Sequence, residues 1–225
     1  MNMKFPWDEN IWFSPAYGVN YFSQIRLREG ISSVTNNKYK KEREAWIMGM
    51  ALFGINKLTE KNWWLQVPNE DPPDMLCMWT DIRKPHNVMN WREVEIMQIT
   101  RHNSGTIREE VMKKLANKVY PKEYSLLIYL QRDEEIRDLK NLSEEIVKIE
   151  PKVADVWVLG HTHPVEDNYI LFSLYPNFER VDFNLIEEAK KLIPGNYIKM
   201  SKSFTDTEMI RITSTEEYEF VPNVK

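Results

Sequence analysis

Glu70-Asp71-Pro72-Pro73-Asp74-Met75-Leu76-Cys77-Met78-Trp79 and the later run Trp91-Arg92-Glu93-Val94-Glu95-Ile96-Met97-Gln98-Ile99-Thr100 decide how this chain folds. Both are apolar and aromatic, both are bounded by prolines or turn-forming residues, and both read as strands. Residues two apart on a strand point to one side, so Glu93 and Glu95 share a face. Asp74, at the start of a neighbouring strand, meets them across the sheet. Three carboxylates gathered in this way repel one another and raise one another's pKa values, and a divalent cation relieves both effects. Oxygen-only ligands favour Mg²⁺, with Mn²⁺ as a substitute, over zinc. Such an ion holds a scissile phosphate and lowers the pKa of an attacking water that Glu95 orients or deprotonates, which is the chemistry of phosphodiester hydrolysis.

The elements on either side extend the pattern. No proline interrupts Lys38 to about Lys57, where Glu44, Met48, Ala51, Leu52 and Ile55 form one helical stripe and Trp46, Met50 and Phe53 an adjoining one. The spacing predicts a largely buried helix. Trp63-Trp64-Leu65-Gln66-Val67 reads as a strand before the two already named. Thr106-Ile107-Arg108-Glu109 has the spacing of a capping box, with Val111, Leu115 and Val119 below it, and predicts a helix ending near Tyr120 before Pro121. Tyr124 to Leu130 is a nearly continuous apolar run, as in a strand covered on both faces. Ser143 can cap a helix through Ile149, and Val153 to Leu159 reads as a further buried strand. Residues 1 to 35 carry Trp7, Trp12, Phe13, Tyr17, Tyr21 and Phe22 without a clear period and read as an aromatic arm. Met209-Ile210-Arg211-Ile212 and Tyr218-Glu219-Phe220-Val221 alternate as late strands.

The order helix, strand, strand, strand, helix, strand across residues 38–131 resembles the PD-(D/E)xK nuclease superfamily, which includes many restriction-type endonucleases. The resemblance implies an α/β fold, a mixed central sheet flanked by helices (αβββαβ). In it an Asp begins the second core strand, a Glu-x-Lys lies on the third, and an extra Glu comes from the first helix. Asp74, Glu93, Glu95 and Glu44 occupy those places, with Asp74, Glu93 and Glu95 as the expected metal ligands. The departure is the lysine: Glu95 follows two residues after Glu93, a Glu-x-Glu variant. In the alternative register Glu95 is the ligand, Glu93 is a neighbour, and Met97 stands where the lysine belongs. The resemblance also makes DNA the expected substrate and a homodimer plausible, since two copies would cut both strands of a duplex. Residues 132–225 are expected to extend the sheet within a single domain of residues 1–225.

Plainer readings stand beside these. Glu93 and Glu95 also fit solvated alternation on an edge strand, Asp74 a turn after two prolines. Glu44 also fits an acid near a helix start, where the dipole favours it, with Glu42 as its substitute. A binding or assembly protein that keeps the fold without catalysis is the alternative function. Gly160-His161-Thr162-His163 after Val156-Trp157-Val158-Leu159 resembles a segment of calcineurin-like metallophosphoesterases, but the other ligands of a dinuclear centre have no counterpart among four histidines. His102 borders the acidic strand and otherwise reads as a loop residue. Lys38, Lys40, Lys41 and Arg43, and then Lys113, Lys114 and Lys118, are candidate phosphate contacts or solvated helix faces. Trp63 and Trp64 can stack on bases or pack on the sheet.

Composition bounds the rest. A chain of 225 residues with eight tryptophans and only seven glycines is long enough to bury its own core. One cysteine, Cys77, excludes an internal disulfide and suits a reducing compartment, so the cytoplasm is the expected location. No run approaches the ~20 apolar residues that cross a bilayer, and the first residues lack a signal-peptide pattern, so no membrane partner is expected. A formal charge of -4 gives no overall attraction to nucleic acid, which leaves that task to local lysines or a metal ion.

Overall fold

The sequence folds into a mixed α/β structure, seen in a computed structural model that describes residues 11–69, 71–82, 87–117, 124–132, 138–162, 167–191, 197–199, 208–212 and 218–222. In chain order the main elements are β1 (Ile11–Phe13), α1 (Pro15–Glu29), α2 (Lys40–Thr59), β2 (Trp63–Gln66), β3 (Met75–Ile82) and β4 (Asn87–Ile99). Next come α3 (Ile107–Asn117), β5 (Tyr124–Leu130), α4 (Leu139–Ile149), β6 (Asp155–His161), β7 (Asn168–Tyr175), β8 (Glu179–Asn184), α5 (Leu185–Lys191) and β9 (Tyr197–Lys199). Nine strands among the described residues join in one sheet, in the order β8-β7-β6-β5-β4-β3-β2-β1-β9. β2, β3 and β4 form an antiparallel meander. β4, β5 and β6 run parallel, with α3 and α4 as the crossovers, and β7 and β8 return antiparallel. Two late strands, β10 (Glu208–Ile212) and β11 (Tyr218–Pro222), pair with each other where the alternation placed them.

Each face of the sheet has its own core. Val94, Leu127, Tyr129, Trp157 and Leu159 pack with α1 and α2 in one cluster; Ile99, Leu126, Ile128, Val156 and Val158 pack with α3 and α4 in the other. Leu127 and Tyr129 thus face one layer while Leu126 and Ile128 face the other, which is why β5 carries an unbroken apolar run. Helix α2 is buried from Arg43 to Ile55, because it lies under both the sheet and α1, and both of its predicted stripes are inside. Glycine lets the two helices approach: a Cβ on Gly49 would stand 2.7 Å from the Pro15 carbonyl oxygen, and one on Gly18 2.8 Å from that of Ala45.

Several local expectations change. Residues 11–29, read from sequence as part of an arm, form strand β1 and helix α1. Helix α2 begins at Lys40, after a 3-10 turn over Asn37–Tyr39. Ser143 lies inside α4, not at its cap: its hydroxyl donates to the Leu174 carbonyl at 2.6 Å and ties the helix to β7. The capping box before α3 has its reciprocal bonds. The Thr106 N–H donates to Glu109 Oε2 at 2.8 Å, and the Glu109 N–H donates to Thr106 Oγ1 at 3.2 Å. Residues 1–10, Lys118 and Tyr120 lie outside the described residues.

Candidate active site

The sheet is stepped where β3 starts, and the acidic residues collect at that step. Met75 pairs with Val94, so Asp74, one residue earlier, stands beside Glu95 as β4 runs on. The Ile96 N–H, which has no strand partner from β3, donates to Asp74 Oδ2 at 2.7 Å. Asp74 therefore completes a sheet hydrogen bond with its side chain. Glu95 is held from the other side, where Lys114 Nζ on α3 lies 2.6 Å from its Oε1. Glu44 comes from the first full turns of α2, and Lys40 joins the groups: its Nζ is 2.7 Å from Asp71 Oδ2, 3.5 Å from Glu44 Oε1 and 3.8 Å from Asp74 Oδ1. Lys41 Nζ is 3.8 Å from Glu44 Oε2 and 3.7 Å from Asp71 Oδ2.

Burial makes this cluster electrostatically unusual. Glu44, Asp74 and Glu95 are exposed by only 3%, 9% and 8%. Loss of water around Glu44, reinforced by the charge on Asp74, pushes its pKa up to about 7 despite Lys40 and Lys41. Burial also raises Asp74, against the opposing Ile96 hydrogen bond and Lys40, while Asp71 and Glu95 add to the rise. Asp71, on the rim, is lowered by its bond to Lys40. Glu44 Oε2 and Lys41 Nζ are buried without a hydrogen-bond partner, which leaves an unsatisfied acceptor and an unsatisfied donor facing each other across 3.8 Å.

Of the residues singled out in the sequence, Asp74 stands between two others: its charge raises the pKa of Glu44 on α2, and Glu95 on β4 in turn raises that of Asp74. Glu93 lies one step back along β4, in register with Leu76 on β3 and Tyr124 on β5. The Tyr124 hydroxyl donates to it, and burial followed by the charge on Glu93 raises the Tyr124 pKa. Met97, at the position of the usual lysine in the Glu95 register, packs against the α3 and α4 core. The ammonium beside Glu95 belongs to Lys114, which the sequence placed among candidate phosphate contacts or a solvated helix face. Val111 and Leu115 are the buried stripe of α3, and Lys114, three residues after Val111 and next to Leu115, flanks that stripe. The spacing was visible, but its carboxylate partner was not.

The donor set consists of carboxylates alone, the chemistry of a hard cation, and the orphaned Glu44 Oε2 is an oxygen that a cation would satisfy. In the arrangement seen, no three His, Cys, Asp or Glu side chains among the described residues are grouped to hold a metal ion; lysines supply the countercharge. The remaining candidates lie elsewhere. His161 is exposed at the end of β6, 3.5 Å from the Tyr129 hydroxyl and with its ring 4.0 Å from that of Tyr169. His163 is outside the described residues. His102 is an exposed turn residue. Trp63 is core, its ring tilted against that of Trp79 with centroids 4.1 Å apart, and Trp64 is half-buried on the opposite face. No helix among the described residues is long and apolar enough to cross a membrane. No family model, curated protein or solved structure matches the chain.

Proposed function

We propose that the protein is a metal-dependent endonuclease of the PD-(D/E)xK type, with DNA as substrate and Mg²⁺ (or Mn²⁺) as cofactor. One observation carries the reading: two buried carboxylates on neighbouring strands, Asp74 and Glu95, with an ammonium 2.6 Å from the second. The surrounding order supports it, since α2, β2, β3, β4, α3 and β5 follow one another as helix, strand, strand, strand, helix, strand. β2 to β6 also lie side by side in one mixed sheet with helices on both faces, in keeping with the expected architecture.

In this reading Asp74 and Glu95 would hold the ion with Glu44 in support, and Glu93 would stand outside the set. Magnesium there supplies a Lewis acid for the scissile phosphate. Lys114 takes the part of the missing strand lysine. It places an N–H donor 2.6 Å from the Glu95 carboxylate, where negative charge grows on the phosphate. Lys40 and Lys41 exchange their carboxylates for phosphate oxygens as substrate arrives, and Glu44, with a pKa of about 7, can give up its proton at neutral pH when a cation takes its place. The lysine pairs also favour a second reading, a catalytically inactive binding or assembly protein whose carboxylates are neutralised permanently.

The test is cleavage of labelled single- and double-stranded DNA and RNA with Mg²⁺, Mn²⁺ or EDTA, alongside calorimetric titration of the metals. Metal-dependent cleavage lost in Asp74→Asn supports the nuclease. Absence of both cleavage and metal binding would leave the inactive protein.

A further inference from the structure

The sheet face that carries Glu93 and Glu95 continues away from the acidic step as an aromatic surface. Strand pairing sets Trp64 opposite Met78 and Met78 opposite Trp91. The next row is Gln66, Leu76 and Glu93, and the row after it is Asp74 and Glu95. None of Trp64, Leu76, Met78 or Trp91 belongs to either helix-covered core. Trp64 and Leu76 are half-buried and Met78 is buried, whereas Trp91 is 57% exposed, so a large aromatic side chain lies open on the face where a strand normally shows polar side chains. At the strand rise, Trp91 stands about 13 Å along β4 from Glu95.

We infer that Trp91 is a stacking platform for unpaired nucleotides of the substrate, an inference that rests on the nuclease reading of the acidic step. The surface asks for one occupant with two chemistries: a flat aromatic face over Trp91, and a phosphodiester a short distance further on at Asp74, Glu95 and Lys114. An unpaired strand has both. A duplex keeps its base faces stacked on one another and can offer none to Trp91 away from its ends, and a peptide would bring no phosphate to the lysines. The substrate is thus single-stranded DNA, or a flap or splayed end of a duplex, with bases held by stacking and without sequence readout.

The test is fluorescence anisotropy with a labelled single strand and with the duplex of the same sequence, in EDTA so that nothing is cut. Wild type is expected to bind the single strand more tightly. Trp91→Ala should weaken single-strand binding by about 5- to 150-fold, the equivalent of one lost base stack of about 1–3 kcal/mol. Duplex affinity should stay unchanged, and Trp91→Phe should retain most of the single-strand affinity. Equal single-strand affinity in wild type and Trp91→Ala, or a clear preference for duplex, would overturn the platform. Cleavage is read separately. Metal-dependent, Asp74-dependent cleavage with Trp91-independent binding removes the platform and keeps the nuclease; Trp91-dependent binding without cleavage does the reverse.

Discussion

Lys114 Nζ on α3 lies 2.6 Å from Glu95 Oε1 on β4, joining a helix that faces solvent on one side to the buried acidic step in the sheet. The contact fixes two expectations. Lys114→Met should lower metal-dependent cleavage by about 100- to 1000-fold, the usual loss when a donor at a developing negative charge is removed. It should also destabilise the protein by about 1–3 kcal/mol, because Glu95 is left buried without its countercharge. Glu95→Gln combined with Lys114→Met should recover most of that stability and none of the activity. A double-mutant cycle from urea unfolding, run beside the cleavage assay, checks both; additive stability effects would show that the pair is not coupled.

Asp74 has a structural duty besides its charge, since it accepts the Ile96 N–H at 2.7 Å. Alanine removes both, orphaning a buried donor at a cost of about 1–3 kcal/mol. Asparagine keeps an oxygen for that N–H and removes only the charge. The expected outcome is cleavage lost in both variants, with a clear drop in melting temperature for Asp74→Ala and little change for Asp74→Asn. Full activity in Asp74→Asn would remove Asp74 from the site.

Glu44 supplies a pH prediction for the metal-free protein. Its folded pKa, raised by burial to about 7, exceeds that of a carboxyl in the unfolded chain. Between about pH 4.5 and 7 the folded state therefore holds the extra proton, and stability falls as pH rises through that window. Glu44→Gln, which does not titrate, should gain on wild type steadily from pH 5 to 7 and hold a constant advantage of a few kcal/mol above it. Unfolding by urea at several pH values in EDTA measures the difference, and a gap independent of pH would mean that Glu44 stays charged in the folded protein.

How much of this was readable in advance differs between backbone and site. The helix, three strands, helix and strand around Asp74 could be read because each has a strong local cause: the proline-free apolar stripes of α2, the Thr106–Glu109 capping box, the continuous apolar run of β5. Residues 11–29 could not, because α1 packs on α2 through Gly18 and Gly49, a contact between elements that leaves no clear apolar period in α1. Ser143 was misread for a related reason. Its hydroxyl bonds to Leu174 on β7, a partner distant in the chain, while a cap is judged from neighbours. In the site, strand alternation put Glu93 and Glu95 on one face. Which of the two stands beside Asp74 depended on the register of β3 against β4, and the source of the ammonium depended on how α3 crosses the sheet.

The helix contact that sequence left unread is itself testable. A methyl group at position 49 would meet the Pro15 carbonyl oxygen at 2.7 Å and Val19 Cγ2 at 3.1 Å, and the nearer of these is backbone that cannot swing aside. Gly49→Ala should therefore cost about 1–3 kcal/mol even though alanine is the better helix former. A stabilised Gly49→Ala in thermal unfolding would mean that α1 can slide off α2 without loss.

Register gives the sharpest comparison within the site. Glu95 stands beside Asp74 and Lys114, whereas Glu93 is paired with Tyr124 one row away. On the nuclease reading, Glu95→Gln is therefore expected to remove cleavage, and Glu93→Gln to leave it within about tenfold of wild type, since a charge one row off changes the field without removing a proposed ligand. Glu95→Lys, the change that would rebuild a Glu-x-Lys sequence around Glu93, should be inactive as well. It sets an ammonium against Lys114, removes the carboxylate next to Asp74, and costs stability through the buried like-charge pair. The three variants in one cleavage assay separate the registers: activity kept in Glu95→Lys and lost in Glu93→Gln would move the site one row down the sheet, to Glu93 and Tyr124.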